Sequence, residues 1–223
     1  MSSTTNKPFV KWIAGCWLFA GLLLSGLSRP GMAEQGPVEV LQTMTNTLIE
    51  IVSQDPGVIK DTARLRSIAN EVVLPRIDFN ALSRWVLGKY WRTATPQQRS
   101  GFITEFREML LGSYLSSVSA YKQNVVRFLP FRGEQQDGRA IVNAEVDQPD
   151  GPAIHVSFRM HRVAKEWLIY DVSVEGISLV ATHRAGFSQQ IHSGGMDSLI
   201  ATLHARNASR AEEDSVAELK AER

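Results

Sequence analysis

The chain has 223 residues, 43% of them apolar, and sets 24 Lys and Arg against 23 Asp and Glu for a formal net charge of +1. A balance this close to neutral supplies no basic field for nucleic acid. Its one cysteine, Cys16, falls in a segment read below as removed on export, which excludes disulfides, thiol catalysis and thiolate metal sites from the mature fold.

Lys7 and Lys11 precede an uncharged run from Trp12 to Leu27, followed by Ser28-Arg29-Pro30 and the small stretch Gly31-Met32-Ala33. That order is an export signal, and the apolar run is shorter than the roughly 20 residues a membrane-spanning helix needs. Ile13-Ala14-Gly15-Cys16 imitates a lipoprotein cleavage box, but most of the apolar run lies after the cysteine, so processing there leaves too little signal. The expected organisation is a signal peptide over 1–33, cleaved near Ala33, one domain over 34–207, and a disordered tail over 208–223, where residues are small or charged. Without disulfides the fold relies on its core, and about 190 residues suffice to bury around 70% of the unfolded surface.

Pro37 opens an amphipathic helix with Val40, Leu41, Met44, Leu48, Ile51 and Val52 in register, ended by Asp55-Pro56-Gly57. A more charged helix is expected from Ile59 to Val73, closed by Pro75. Asp78 then caps a helix carrying Phe79, Leu82, Val86 and Tyr90. A break is expected from Gly88 to Ala94. Thr95-Pro96-Gln97-Gln98 restarts the helix as a capping box, with proline at the first helical position. From there Phe102, Phe106, Leu110, Tyr114, Val118 and Tyr121 form a stripe of large side chains at four- and three-residue steps.

After Tyr121 the period changes to two. A strand is expected over Asn124–Phe131, with a turn from Gly133 to Gly138. Arg139–Asp147 sets Ala140, Val142, Ala144 and Val146 against Ile141, Asn143, Glu145 and Asp147. Ala153–Val163 sets Ile154, Val156, Phe158 and Met160 against His155, Ser157, Arg159 and His161. Glu166–Val174 sets Leu168, Tyr170, Val172 and Val174 against Trp167, Asp171 and Ser173. Short connections make this an antiparallel meander with one apolar face, which the long helix from Phe102 is expected to cover. Ser178 caps a helix with Val180, Phe187 and Ile191; Gly194-Gly195 breaks it, and Asp197 starts a last helix with Leu199, Ile200 and Leu203. The fold class is α+β, with helices packed on one face of a twisted antiparallel sheet of about four or five strands.

The polar candidates for chemistry each have a plainer account. His155 and His161 share a strand face but stand too far apart to ligate one ion at about 3.3 Å per residue, and no H-E-x-x-H spacing occurs. Ser178 follows a strand and opens a helix, yet Val180 stands where a nucleophile elbow needs its second glycine, so a helix cap is the better reading. Asp171 and Glu175 are roughly 13 Å apart along a strand, beyond the reach of paired-carboxylate chemistry; Asp171 is expected near Arg184. The apolar inventory, by itself, leaves a ligand pocket and a filled core both open.

Two blocks carry a resemblance. Pro75-Arg76-Ile77-Asp78-Phe79 continues through Leu82-Ser83-Arg84-Trp85-Val86-Leu87-Gly88-Lys89-Tyr90-Trp91-Arg92 to Thr95-Pro96-Gln97-Gln98-Arg99 and Phe102. The second is Tyr170-Asp171-Val172, Glu175-Gly176-Ile177-Ser178-Leu179, Arg184 and Phe187. Together they resemble the MlaC family of periplasmic phospholipid-binding proteins, also called the toluene-tolerance family, over residues 38 to 205. Thr182-His183 departs from the Asn-Tyr pair more usual there. The resemblance implies a soluble carrier moving phospholipid between the outer-membrane lipoprotein MlaA and an inner-membrane ATP-binding-cassette complex, with no catalysis, metal or cofactor. Acyl chains would lie in an apolar cavity enclosed between sheet and helices. Periodicity offers Phe79, Leu82, Val86, Tyr114, Val118 and Phe187 from the helices and Val142, Ala144, Val146, Val156, Phe158, Leu168, Tyr170 and Val172 from the sheet as inward-pointing lipid-binding candidates. A hydrolase using Ser178 or a histidine, and a docking adaptor with exposed Trp or Tyr, are the alternatives.

Overall fold

The computed structural model describes residues 35–118, 125–131, 138–148 and 151–221. The export segment, Tyr121 of the expected stripe, Asn124 of the first expected strand, most of the Gly133–Gly138 turn and the side chain of Val118 lie outside them.

Helix α1 spans Pro37–Gln54, with proline in its first turn. A single helix expected from Ile59 is instead four short pieces: a 3-10 turn Pro56–Lys60, α2 over Thr62–Ile68, a π turn Ala69–Val73 and a 3-10 turn Leu74–Arg76. Asp61 explains the first division, because its side chain accepts the Arg64 N–H at 2.9 Å and starts a new helix there. Pro75 explains the last, since it cannot donate the backbone hydrogen bond that would carry the helix on.

Helix α3 runs Phe79–Leu87, capped by Asp78 on Ala81 N–H at 2.8 Å. Gly88, at φ 54°, makes a turn that few side chains tolerate, and the expected break beyond it holds a short helix, α4, Lys89–Thr93. Helix α5, Pro96–Val118, begins with a reciprocal capping box: Thr95 Oγ1 accepts Gln98 N–H at 3.1 Å and Gln98 Oε1 accepts Thr95 N–H at 3.0 Å.

Strands β1 (Val126–Phe128), β2 (Arg139–Gln148), β3 (Gly151–Val163), β4 (Glu166–Val174) and β5 (Ile177–Ser178) form one antiparallel sheet in sequence order. Between Arg159 and Met160 the register shifts: Arg159 pairs with Asp171, Met160 with Ile169, and Tyr170 is left over as a bulge. The bulge resets the alternation in β4. Trp167 and Ile169 therefore share the apolar face with Val172, while Leu168 sits opposite His161 on the other side; the expected inward set Leu168, Tyr170 and Val172 is split.

Helix α6 extends over Leu179–Ala221 and is interrupted at Gly195, whose φ of 80° and ψ of 174° a non-glycine residue rarely adopts. Residues 208–221, expected as a disordered tail, continue its second arm. Asn207 Nδ2 donates to the Glu105 carbonyl at 3.0 Å and Arg210 Nη1 to Ser113 Oγ at 3.0 Å, so polar contacts tie the helix to α5 where this stretch begins.

Two main clusters of buried residues result. One is helical throughout, joining Leu82, Val86, Leu87 and Trp91 to Phe102, Phe106 and Leu110 of α5 and Val180, Phe187, Leu199 and Leu203 of α6. The other seats Val40 and Leu41 of α1 on Ala140, Val142, Met160, Trp167 and Ile169. The apolar sheet face is thus covered by α1, and not by the long helix. Asp171 and Ser173 are buried on the opposite face of β4, so that strand is covered on both sides.

Tyr114 follows from helix geometry. Each four-residue step overshoots a full turn by about 40°, so the stripe from Phe102 winds away from α6 and leaves Tyr114 50% exposed. Leu111 and Leu115 pack instead on Leu65, with Ala69 and Leu74 alongside.

Candidate functional site

Helix α1 has an apolar stripe along its whole length, about 27 Å at 1.5 Å per residue. Only its first half sits on the sheet. Val40, Leu41 and Met44 meet the strands, whereas Leu48, Ile49, Ile51 and Val52 run on to face α2 and the π turn. Those segments answer with Leu65, Ile68, Ala69 and Val73, and Leu115 of α5 and Val125 and Val126 beside β1 complete the lining of a cavity of about 630 Å³.

The π turn contributes to this opening. Leu74 N–H bonds back five residues to the Ala69 carbonyl, a wider turn than an α-helix makes, and such bulges recur at functional sites. Two polar contacts hold the outer side of this wall to α5: Arg66 Nη1 to Glu108 Oε2 at 2.7 Å and Arg107 Nη2 to Asn70 Oδ1 at 2.8 Å. The cavity is open to solvent at Ile49 and Val125, both exposed, rather than enclosed.

Among the described residues none in the lining carries a charge; Thr45 and Ser53 are the polar members, and Ser53 Oγ is spent on the Ile49 carbonyl at 2.7 Å. Such a surface can desolvate apolar matter and can do little acid-base chemistry. Among the described residues no group of three or more His, Cys, Asp or Glu side chains converges. Ser178 Oγ donates to Asp171 Oδ2 at 2.7 Å and accepts Ala181 N–H at 3.1 Å, which is the geometry of a cap. Asp171 is placed there, and not with Arg184, whose guanidinium donates to the Trp85 carbonyl.

Among the described side chains, none of those chosen from periodicity lines this cavity. Leu82, Val86 and Phe187, with Phe79 packed beside them, belong to the helical core. Val142 is fully buried under α1, and Phe158 and Val172 pack against that cluster. Ala144 is buried; Val146 and Val156 are half-buried on the same face, Val146 paired directly with Val126 of the lining. Leu168 is half-buried on the far side, and Tyr170 lies between Trp85 and His161, with ring centroids 6.3 and 5.1 Å away. The lining residues Leu48, Ile51 and Val52 of α1 were visible as part of an amphipathic stripe. The signal that separates them from ordinary core is that the α1 stripe outruns the sheet surface available to it.

The comparisons with known proteins agree with this architecture. Residues 42–205 match the family model described as MlaC protein. The intermembrane phospholipid transport system binding protein MlaC of Haemophilus influenzae is 23% identical over 182 residues, covering 79% of this chain and 85% of that protein. The toluene tolerance protein ttg2D of Pseudomonas putida is 25% identical over 179 residues, covering 79% and 82%. A phospholipid-binding protein from Ralstonia solanacearum, solved in complex with a phospholipid, shares the fold with a TM-score of 0.70 at 24% identity, over 77% of this chain and 97% of that one. With a family model spanning α1 to the second arm of α6, the chain belongs to the MlaC family.

Proposed function

We propose that this chain is a periplasmic phospholipid carrier that holds acyl chains in the cavity bounded by Leu48, Ile51, Ile68 and Val126, with the head group at the solvent side near Ile49 and Val125. The observation that carries the reading is the uncharged lining of a space of about 630 Å³, well inside the roughly 300–1,000 Å³ of ordinary ligand sites. The names and the bound phospholipid of the relatives point to the same ligand class.

The physical need is large. At roughly 0.8 kcal/mol per methylene, two chains of about fifteen methylenes each forfeit on the order of 24 kcal/mol when bare in water. A protein that escorts them has to cover both, and one wall built of short helical pieces can yield where a packed core cannot. As that wall gives way, Val146 and Val156 beyond Val126 become an extension of the same surface, which is the part of the periodicity-based set that fits this role. The expected partners are those of the family resemblance: the outer-membrane MlaA complex and the inner-membrane ATP-binding-cassette complex, reached after export with signal cleavage near Ala33.

Native mass spectrometry of the chain purified from periplasm tests this. Co-purifying phospholipid is expected. An empty protein that also takes up no lipid from vesicles contradicts the reading.

A further inference from the structure

Around α3, which packs on both α4 and the first arm of α6, these elements carry four exposed cations: Arg84, Lys89, Arg92 and Arg184. Arg184 Nε donates to the Trp85 carbonyl at 3.0 Å and lies 4.0 Å from the space above Gly88, which ties α6 to the end of α3. The Arg84 guanidinium sits over the Trp91 ring at 6.0 Å, and Lys89 Nζ lies 5.0 Å from the Tyr90 ring.

Among the described residues none of the four forms an ion pair. Nearby carboxylates are turned inward: Asp78 caps α3 and meets His161 Nε2 at 2.9 Å, and Asp171, only 2% exposed, holds the start of α6. On a chain of net charge +1 this is a marked local excess.

Trp85 lies in its midst, 48% exposed. One side of its ring is stacked on Tyr170 at an interplanar angle of 23°, and its backbone is clamped by Arg184. A large ring already fixed in place loses little entropy on being covered, and Trp and Arg are the residues that most often carry interface energy. We propose that this corner docks an acidic protein face, whose carboxylates pair with the four cations and whose apolar side chain covers Trp85. A membrane surface fits less well, because an aromatic anchor for lipid stands away from the protein, and Trp85 lies flat.

The proposal rests on the carrier reading for where to seek the partner, namely the membrane complexes that give or receive lipid. The test is surface plasmon resonance of the purified chain on the inner-membrane transporter complex, held in phosphatidylcholine nanodiscs. With wild type, binding should weaken steeply as salt rises from about 50 to 500 mM. Arg84→Glu combined with Lys89→Glu and Arg92→Glu should bind at least about tenfold more weakly with a flatter salt dependence, and Trp85→Ala should dissociate at least about tenfold faster. Lys89→Glu with Arg92→Glu alone, which spares the Arg84 ring contact, should show the same direction and guards against a folding defect.

Equal binding by wild type and variants, or no binding by wild type, overturns the docking surface. Cation-dependent binding to nanodiscs of phosphatidylglycerol without the complex overturns it in favour of a membrane. Co-purified phospholipid, measured on the same preparations, should be unchanged by the substitutions. Its absence alongside charge-dependent docking sinks the carrier reading alone, and its presence alongside charge-blind docking sinks this surface alone.

Discussion

Asp171 and Ser178 join the sheet to the last helix through a 2.7 Å hydrogen bond from the serine hydroxyl to a carboxylate that is almost wholly buried. The same carboxylate accepts the Val180 N–H at 3.2 Å, at the end of α6 where unpaired amides carry partial positive charge. Arg159 Nη1 stands 3.8 Å away as a weaker partner. Asp171→Ala should therefore cost about 2–4 kcal/mol in denaturant unfolding, since it strands a part-buried hydroxyl and a buried amide together. Ser178→Ala should cost about 1 kcal/mol, and the double variant should fall short of the sum because the two share one network.

The contact between Arg66 and Glu108 fastens the α2 wall of the cavity to α5, with both side chains about a third or more exposed. Screening limits such a pair to roughly 0–1 kcal/mol. Glu108→Gln should leave the unfolding midpoint almost unchanged and raise the rate of phospholipid transfer to acceptor vesicles, by up to about fivefold. An unaltered transfer rate would show that this wall does not move during exchange.

His183 sits between Phe106 and Phe187, at ring distances of 5.7 and 5.6 Å, with its Nε2 buried and unpartnered. Burial lowers its pKa below the ordinary 6.5. A histidine so depressed binds fewer protons folded than unfolded, so its contribution is intact above about pH 6.5 and is lost as pH falls through that value toward the folded pKa. His183→Phe keeps the ring packing and should flatten the dependence of unfolding free energy on pH below about 6.5. A slope identical to wild type contradicts the neutral buried state.

Much of the fold was legible because its signals are local. The Asp78 cap, the Thr95 and Gln98 box, the Ser178 cap and the period-two runs of β2 and β3 depend on neighbours a few residues away. Two features were not local. The bulge at Tyr170 exists only because β4 pairs with β3, and nothing within Glu166–Val174 announces that its alternation is reset there. The stripe of α5 looked continuous on paper, yet a straight helix rotates it from the α6 contact at Phe102 and Phe106 toward solvent at Tyr114. The opening beside α1 escaped the periodicity-based set for a related reason: amphipathicity says that Leu48, Ile51 and Val52 need cover, and only tertiary structure says that α2 covers them incompletely.

Space and its absence give a further contrast. Leu48→Trp and Ile68→Trp intrude on the cavity, so each should reduce co-purified phospholipid while shifting stability by less than about 1.5 kcal/mol. Val142→Trp enters a filled core and should cost at least the upper end of about 1–3 kcal/mol. Calorimetry and lipid extraction on the same preparations separate the two outcomes.

The most direct measurement is photocrosslinking with a phospholipid bearing a diazirine on its acyl chain, followed by peptide mapping. Adducts should concentrate on residues 45–53, 65–73, 115 and 125–126, the walls of the cavity. Adducts on Leu82, Val142 or Phe187 in place of those positions, or no specific adduct at all, would contradict the account.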